Sequence, residues 1–557
     1  MFGWRISAAG RQIARLFPPG GHKVRRGPSV TIVSGTDYVA AQSLSVRPLG
    51  RETERGQFVL FKIVGAVRVV VRVVENTHDD RAIPLRRLLC TMRRFLKRLL
   101  VFVAALLSAQ FAPAQEKQPA DLVIKHALVV TMNARREIIQ DGAVVIRSSR
   151  IIAVGPAAIA AQFSAAKTID AHGDIVMPGM INTHTHAPMT VFRGLGDDVP
   201  DRLRRFIFPL EKNLMNREFV HWGGLHGMIE MIEGGTTTMV NSYYFEADLA
   251  LAAKKIGMRG VLGQTVINFP APDAPEPYGG LALARKFAAD FRDDPLITPA
   301  IAPHAPYTLD AAHLRLVAQT SAELNLPVLI HLAEMTEEIA SIRKDHDMTP
   351  VEYLDSLGLL NHRLVAAHCI FVNDSDIALL KSRDVGIAHN MVANIKSAKG
   401  VAPALKMFNE GLRVGLGTDG PMSGNTLDVI GQLGYVAKLH KLDNRDRNVM
   451  PALAVVEMAT LGGARAIHRE ADLGSLEPGK LADLIIIDHE STNMVPLFDV
   501  YSALVYAAGP KDVRTTIIQG RVIMEDRKLL TVDSAEVRTH MRDIARRINA
   551  ALATGLK

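Results

Sequence analysis

The chain has 557 residues, 48% of them apolar, with 65 Lys and Arg against 57 Asp and Glu and only two cysteines. That length and composition exclude a disordered chain or a small disulfide-stapled scaffold. The net charge of +8 is local. Residues 1–114 hold 19 of the Lys and Arg but 6 of the Asp and Glu, so the remainder carries about −5 and offers no basic footprint for nucleic acid.

Residues 1–91 are rich in Arg and Val and contain no turn-punctuated domain; they read as a non-native or unstructured extension ahead of a start at Met92. Residues 92–114 then run in the order of a secretory signal peptide. A basic stretch around Arg93, Arg94, Lys97 and Arg98 precedes an apolar core from Leu99 to Ala109, with small residues at Ala112 and Ala114. That core is too short for a membrane span, which needs ~20 residues. The expected location is therefore periplasmic or secreted if translation starts at Met92, and cytoplasmic otherwise. Of the two cysteines, Cys90 precedes this leader and Cys369 reads as a small buried residue pointing away from any site, so no disulfide is expected.

Short strand-like runs at 121–130 and 141–146 open the remaining chain, and similar runs at 474–488 and 515–522 follow much later. Neither set can bury a sheet face alone, so one small β-sandwich from both ends is expected, from residues 118–178 and 471–532. Residues 533–557 have helical composition and should close the chain on the surface. No internal repeat is visible.

Between these flanks, 179–470, apolar strand-like runs alternate with helical patterns, which predicts a parallel α/β fold, a distorted (β/α)8 TIM barrel. Several runs end in polar residues: His184 and His186, then His331 and Glu334, then His368, then Asp419. Alternate strand residues share a face, so His184 and His186 can aim at one point. Strand carboxyl ends are where such a barrel assembles its site. Three imidazoles and a carboxylate, His184, His186, His331 and Asp419, suit one divalent metal, zinc first and iron second. A bound water would fall to a pKa of ~7 there, leaving Glu334 and His368 beside it for proton transfer and orientation.

The specific stretches are Pro178 to His186, Gly234-Gly235-Thr236-Thr237-Thr238, Pro303-His304-Ala305-Pro306-Tyr307-Thr308, His331 to Glu334, Ala367-His368-Cys369, His389-Asn390 and Gly417-Thr418-Asp419-Gly420. In these the chain resembles the amidohydrolase superfamily, in its mononuclear deaminase and chlorohydrolase branch, and most of all the S-adenosylhomocysteine/5-methylthioadenosine deaminases. The resemblance spans about 121–530. It implies that Glu334 shuttles protons to the ring nitrogen and the leaving amine, that His368 orients the nucleophile and that Asp419 takes the water's proton. It also places His304, with His331 and Glu334, against the substrate, and gives Glu211 the ribose hydroxyls; from the residues alone, Glu211 reads as a solvated helix position. No lysine ends the run 296–304, so one metal is expected.

Two departures stand out. Gln264 lies near the place where some members carry an arginine for the homocysteine carboxylate, with Arg285 a substitute lacking any spacing argument. Asn241 stands where an aspartate is common. The expected activity is hydrolytic deamination of an adenosine-like nucleoside, a metal hydroxide attacking the amine-bearing ring carbon with release of ammonia. The alternatives are another N-heterocycle (guanine, cytosine, a pterin or an s-triazine) and, more remotely, a catalytically silent nucleoside-binding protein. The expected partners are a small heterocycle and water, with a homo-oligomer expected by analogy with related barrels and neither nucleic acid nor a membrane span.

Overall fold

The computed structural model describes residues 56–62, 68–74, 94, 97, 98, 116–199 and 201–554. Most of the leader read at 92–114, and most of the extension read at 1–91, lie outside the described residues. The chain divides into two units, Met1–Ala114 and Gln115–Lys557. In the first, β1 (Gly56–Lys62) pairs antiparallel with β2 (Arg68–Val74). Such a two-stranded ladder is marginal by itself.

The second unit holds two sheets. One is the barrel: β8 (Met180–Thr185), β9 (Thr236–Tyr243), β10 (Arg259–Val266), β11 (Ile297–Pro303), β12 (Val328–Leu332), β13 (Leu364–His368), β14 (Gly386–His389) and β15 (Arg413–Leu416). Each pairs parallel with the next in chain order. Nearly every residue of these strands is buried, as expected where helices cover the outer face of a parallel sheet. Inward side chains such as Val240, Val261, Ala300, Leu329, Val365 and Ala388 fill the interior below the strand ends. The ring is nearly closed where β15 meets β8: the backbone N–H groups of Thr418 and Asp419 both donate to the His184 carbonyl, at 3.1 and 3.0 Å. Gly417 permits this approach, since a Cβ there would lie 2.2 Å from Asn390 Oδ1 and 3.0 Å from His184 Cβ.

The other sheet has nine strands drawn from both flanks. From the first come β3 (Gln118–Val130), β4 (Ile138–Arg147), β5 (Arg150–Pro156), β6 (Phe163–Asp170) and β7 (Ile175–Pro178). The second contributes β16 (Leu484–Ile487), β17 (Val513–Ile518), β18 (Arg521–Glu525) and β19 (Lys528–Leu529). The halves join through antiparallel pairing of β7 with β16 and share one core, in which Ile124, Val144 and Val176 meet Leu484, Ile486 and Ile517. The two chain ends therefore form one body, as their separate insufficiency implied. A buried bidentate pair ties it to the barrel: Arg259, at the start of β10, donates to Asp483 at 2.7 and 3.1 Å. Among the described residues no helix is long and apolar enough to cross a membrane.

Four helices matter for the site or for closure: α1 (Phe208–Leu214), α2 (Arg217–Glu233), α3 (Glu246–Ile256) and α4 (Met391–Lys396). The last helix, α5 (Ser534–Ala553), is capped by Asp533 and buries Val537, Ile544 and Ile548, one stripe of its surface, while Arg547 pairs with Glu218 on α2.

Candidate metal centre and cavity

His184 on β8 and His186 just past its end point inward together, and the folded chain brings His331 from β12 and Asp419 from the turn after β15 to them. One ligand atom from each of the four lies within 4.8 Å of all the others. His186 Nε2 is 3.2 Å from His331 Nε2 and 3.3 Å from Asp419 Oδ1, and His184 Nε2 is 3.7 Å from that oxygen.

The far ring nitrogens decide what these atoms are. His186 Nδ1 is 2.5 Å from the Ser242 carbonyl and His331 Nδ1 is 2.7 Å from the His304 carbonyl. A carbonyl accepts only, so each Nδ1 carries a proton, and in the neutral rings the two Nε2 lone pairs face each other. Two lone pairs at 3.2 Å with a carboxylate beside them repel unless a cation lies among them. His184 Nε2 is buried with no hydrogen-bond partner, a further donor aimed at the same point. Burial holds His184 down to about 4 and His331 well below the ordinary imidazole value, so both are neutral at pH 7 and able to donate a lone pair. Burial also pushes His186 down, but the Asp419 carboxylate more than offsets it; the same imidazoles outweigh burial at Asp419 and keep it ionised. The donor set fits one divalent ion.

Glu334 and His368 stand beside this cluster, with His368 Nε2 3.7 Å from Glu334 Oε1. His368 is oriented by Asn394 on α4, whose Oδ1 accepts from Nδ1 at 2.8 Å, leaving Nε2 to face the site. Glu334 is placed by Glu338, whose carboxylate accepts the backbone N–H groups of Ala333 and Glu334 at 2.8 and 2.9 Å. The backbone is in the left-handed region at Ala333, His368 and Asp419, with φ of 49, 73 and 59°. Strain of this kind persists where surrounding contacts fix it. Burial favours the protonated form of Glu334, yet His368 and Lys399 outweigh it and hold the carboxyl below its ordinary value.

Above the cluster opens a cavity of about 980 Å³, lined by His186, Glu211, Tyr243, His304, Glu334 and Lys399 among others. Glu211 corrects the solvated-helix expectation. It lies on the inner face of α1, 5% exposed, 3.5 Å from the Tyr244 hydroxyl, and burial pushes it up to about 7. The cause is tertiary: the turn before α1 lays this short helix across the barrel mouth, so the face that local sequence leaves open to water becomes the cavity wall. His304 also reaches the cavity; its backbone orients His331 and its ring meets Phe208 edge-on.

Neither residue considered for a carboxylate grip serves that end here. Gln264 donates to Asp273 at 2.8 Å and does not line the cavity, and Arg285 pairs with Glu323 on the outer surface. Asn241 has a clear use. Its Oδ1 accepts from the Ala187 N–H at 2.7 Å, and its Nδ2 donates to the buried Glu246 at 2.6 Å. An ionised aspartate could accept the first bond but has no N–H to donate in the second. Cys369 is buried, and burial pushes its thiol up, which removes it as a nucleophile. His389 faces His440 at 3.2 Å between ring nitrogens, behind the site. Sequence reasoning missed Asn394, Glu338 and Lys399. The first two stand four residues beyond Asn390 and Glu334 in stretches already singled out, and helical spacing from those residues was the available signal.

The amidohydrolase family model matches residues 175–523. The 5-methylthioadenosine/S-adenosylhomocysteine deaminase of Syntrophobacter fumaroxidans is 42% identical over 432 residues, 77% of this chain and 98% of the relative. The first such deaminase of Syntrophus aciditrophicus is 38% identical over 435 residues, 78% of this chain and 98% of the relative. Among solved structures, the zinc-bound adenosine deaminase of Xanthomonas campestris is similar with a TM-score of 0.76 and 35% identity, covering 78% of this chain and 100% of its own. The zinc complex of atrazine chlorohydrolase from Arthrobacter aurescens has a TM-score of 0.72 at 20% identity over 76% of this chain and 100% of its own, a likeness of fold.

Proposed function

Because the chain belongs to the amidohydrolase family, we propose that the cavity above its His/Asp cluster hydrolytically deaminates an adenosine-like nucleoside: 5-methylthioadenosine, S-adenosylhomocysteine or adenosine. The protein is a hydrolase acting on carbon–nitrogen bonds. The observation that carries the substrate reading is that Glu211 and Glu334, 123 positions apart in sequence, face one cavity with the cluster between strand ends. One carboxylate can accept from ribose hydroxyls while the other handles protons at the ring.

His184, His186, His331 and Asp419 would hold the ion, and zinc suits three imidazoles and a carboxylate best. When bound, such an ion makes a water nucleophilic at neutral pH. The chain's own groups supply the remainder. Asp419 and His368 accept from and orient the attacking water, with His368 Nε2 free because Asn394 takes Nδ1. Glu334, ionised at rest, takes a proton from the attacking water and gives it to the ring nitrogen next to the amine-bearing carbon. As the carbon–oxygen bond forms and the carbon–nitrogen bond breaks, the water's second proton goes to the amine, so ammonia leaves and a ring carbonyl remains with the first proton on the ring nitrogen. His304 packs against the bound ring. We further infer that residues 92–114 direct export, which places the enzyme in the periplasm or outside the cell; N-terminal sequencing of exported material should begin near Gln115.

Ammonia release from the metal-loaded protein against a panel of adenosine, 5-methylthioadenosine, S-adenosylhomocysteine, guanine, cytosine and an aminotriazine tests the reading. Turnover confined to the adenosines is expected. Activity only on free bases or triazines would remove the ribose role of Glu211, and ammonia from none of them would overturn the reaction class.

A further inference from the structure

The carboxylate that moves protons has three rotatable bonds, and its backbone restraint by Glu338 ends at the peptide N–H. Its carboxylate oxygens meet little else. His368 Nε2 at 3.7 Å is beyond hydrogen-bond reach, and the one hydrogen bond made to the Glu334 carboxylate among the described residues comes from Lys399 Nζ to Oε1. Among the described residues Oε2 accepts no hydrogen bond, and Glu334 lines the cavity. Lys399 is itself held: its backbone N–H donates to the Asn394 carbonyl at 2.9 Å, and Gly400, at φ +122°, turns the chain away in a conformation side chains rarely adopt. The same Asn394 orients His368 through its side chain. A single turn, 394–400, therefore reaches both partners of the proton-transfer pair, His368 through an amide and Glu334 through an ammonium.

We propose that Lys399 is a positioning residue for Glu334: by gripping Oε1 it fixes the rotation of the carboxylate so that Oε2 faces the substrate ring. This rests on reading Glu334 as the proton-transferring group. A lysine does this work with a charge-assisted bond in a partly buried setting, where the Lys399 side chain is 28% exposed and that of Glu334 11%. Proton transfer is sensitive to placement, a misfit near 1 Å costing ~10²-fold. The grip therefore acts on turnover and leaves ring binding alone.

The test is steady-state kinetics of the full, metal-loaded chain carrying Lys399→Met, Lys399→Arg, Glu334→Gln and the Lys399→Met/Glu334→Gln pair. Metal content and melting temperature are measured alongside. The expected result is that Lys399→Met lowers kcat on 5-methylthioadenosine about 10- to 100-fold with KM nearly unchanged and metal retained. Lys399→Arg should restore most of the rate. In the Glu334→Gln background, where residual rates are read at high enzyme concentration, Lys399→Met should cost nothing further, the non-additivity of groups that act as a unit. Wild-type kcat in Lys399→Met, or an equal loss in both backgrounds, would overturn the proposal. A loss confined to the KM of S-adenosylhomocysteine, which carries a carboxylate, would overturn it in favour of direct contact with that group. Full activity in Glu334→Gln would overturn both this inference and the mechanism beneath it, which separates the two failures.

Discussion

The floor and the wall of the cavity are built by different means. On the floor, His184, His186, His331 and Asp419 stand at or just beyond strand ends, and backbone groups hold them: Ser242 and His304 carbonyls on two imidazoles, and the Gly420 N–H on Asp419 at 2.6 Å. On the wall, Glu211 sits on a one-to-two-turn helix with a phenol 3.5 Å away, and the adjoining segment, Leu203–Ile207, is a wide π-type turn. Backbone-held groups are rigid and suit chemistry that tolerates no misplacement. Side-chain-held groups on short loop elements can vary with the substrate while the floor stays unchanged.

The comparison can be broken first at the floor. His186→Ala or Asp419→Ala should lose the ion and at least about 10³-fold of activity, since lowering a water's pKa from ~15.7 to ~7 is what the ion supplies. Elemental analysis and ammonia release check this, and refilling the chelated wild-type enzyme with zinc or iron ranks the metals. Glu334→Gln should keep the ion and lose ~10²–10⁴-fold in kcat; retained activity would separate the floor from proton transfer. One layer out, Asn394→Leu should free the His368 ring and cost about 10- to 100-fold, as for other groups that orient a metal site's neighbours. At the wall, Glu211→Ala should leave metal content intact and lower kcat/KM for adenosines up to about tenfold, the net loss of a hydrogen bond being worth ~0.5–1.5 kcal/mol. Equal effects on adenosine and on free adenine would show that the wall does not read ribose.

The last effect is on stability, leaves activity alone and lies outside the cavity. Burial pushes Asp428 up to about 6, the Gly431 N–H opposing and Glu230 adding to the shift. Its folded value exceeds the ordinary one near 3.8, so the ionised form is penalised in the fold and the native state binds the proton more tightly. Stability is then lost as pH rises from about 4 through about 6, up to ~3 kcal/mol at ~1.4 kcal/mol per unit. Asp428→Asn should raise the melting temperature by a few degrees at pH 8 and by less at pH 4, read by thermal melts at the two values.

His184 and His186 were legible because strand geometry puts alternate residues on one face, and His331, His368 and Asp419 because each ends an apolar run. Those are local rules of spacing. The burial of Glu211 is not legible locally for the opposite reason: only the resemblance placed it at the substrate, since nothing within a few residues of it records that α1 lines the cavity. Lys399 and Gln264 show the same limit. One is 65 positions from the carboxylate it grips, and the other is spent on Asp273 instead of facing the cavity.

The sequence by itself determined the alternation of strand and helix, the four side chains that cluster at the strand ends and the composite sheet from both chain ends, because hydrophobic periodicity and strand-end position are encoded residue by residue. Tertiary structure alone decided which nitrogen of His186 and of His331 faces the cluster, since Ser242 and His304 carbonyls claim the other one. It also decided which carboxylates are buried and which cation steadies Glu334. Those outcomes depend on desolvation and on contacts between segments that only the closed barrel brings together.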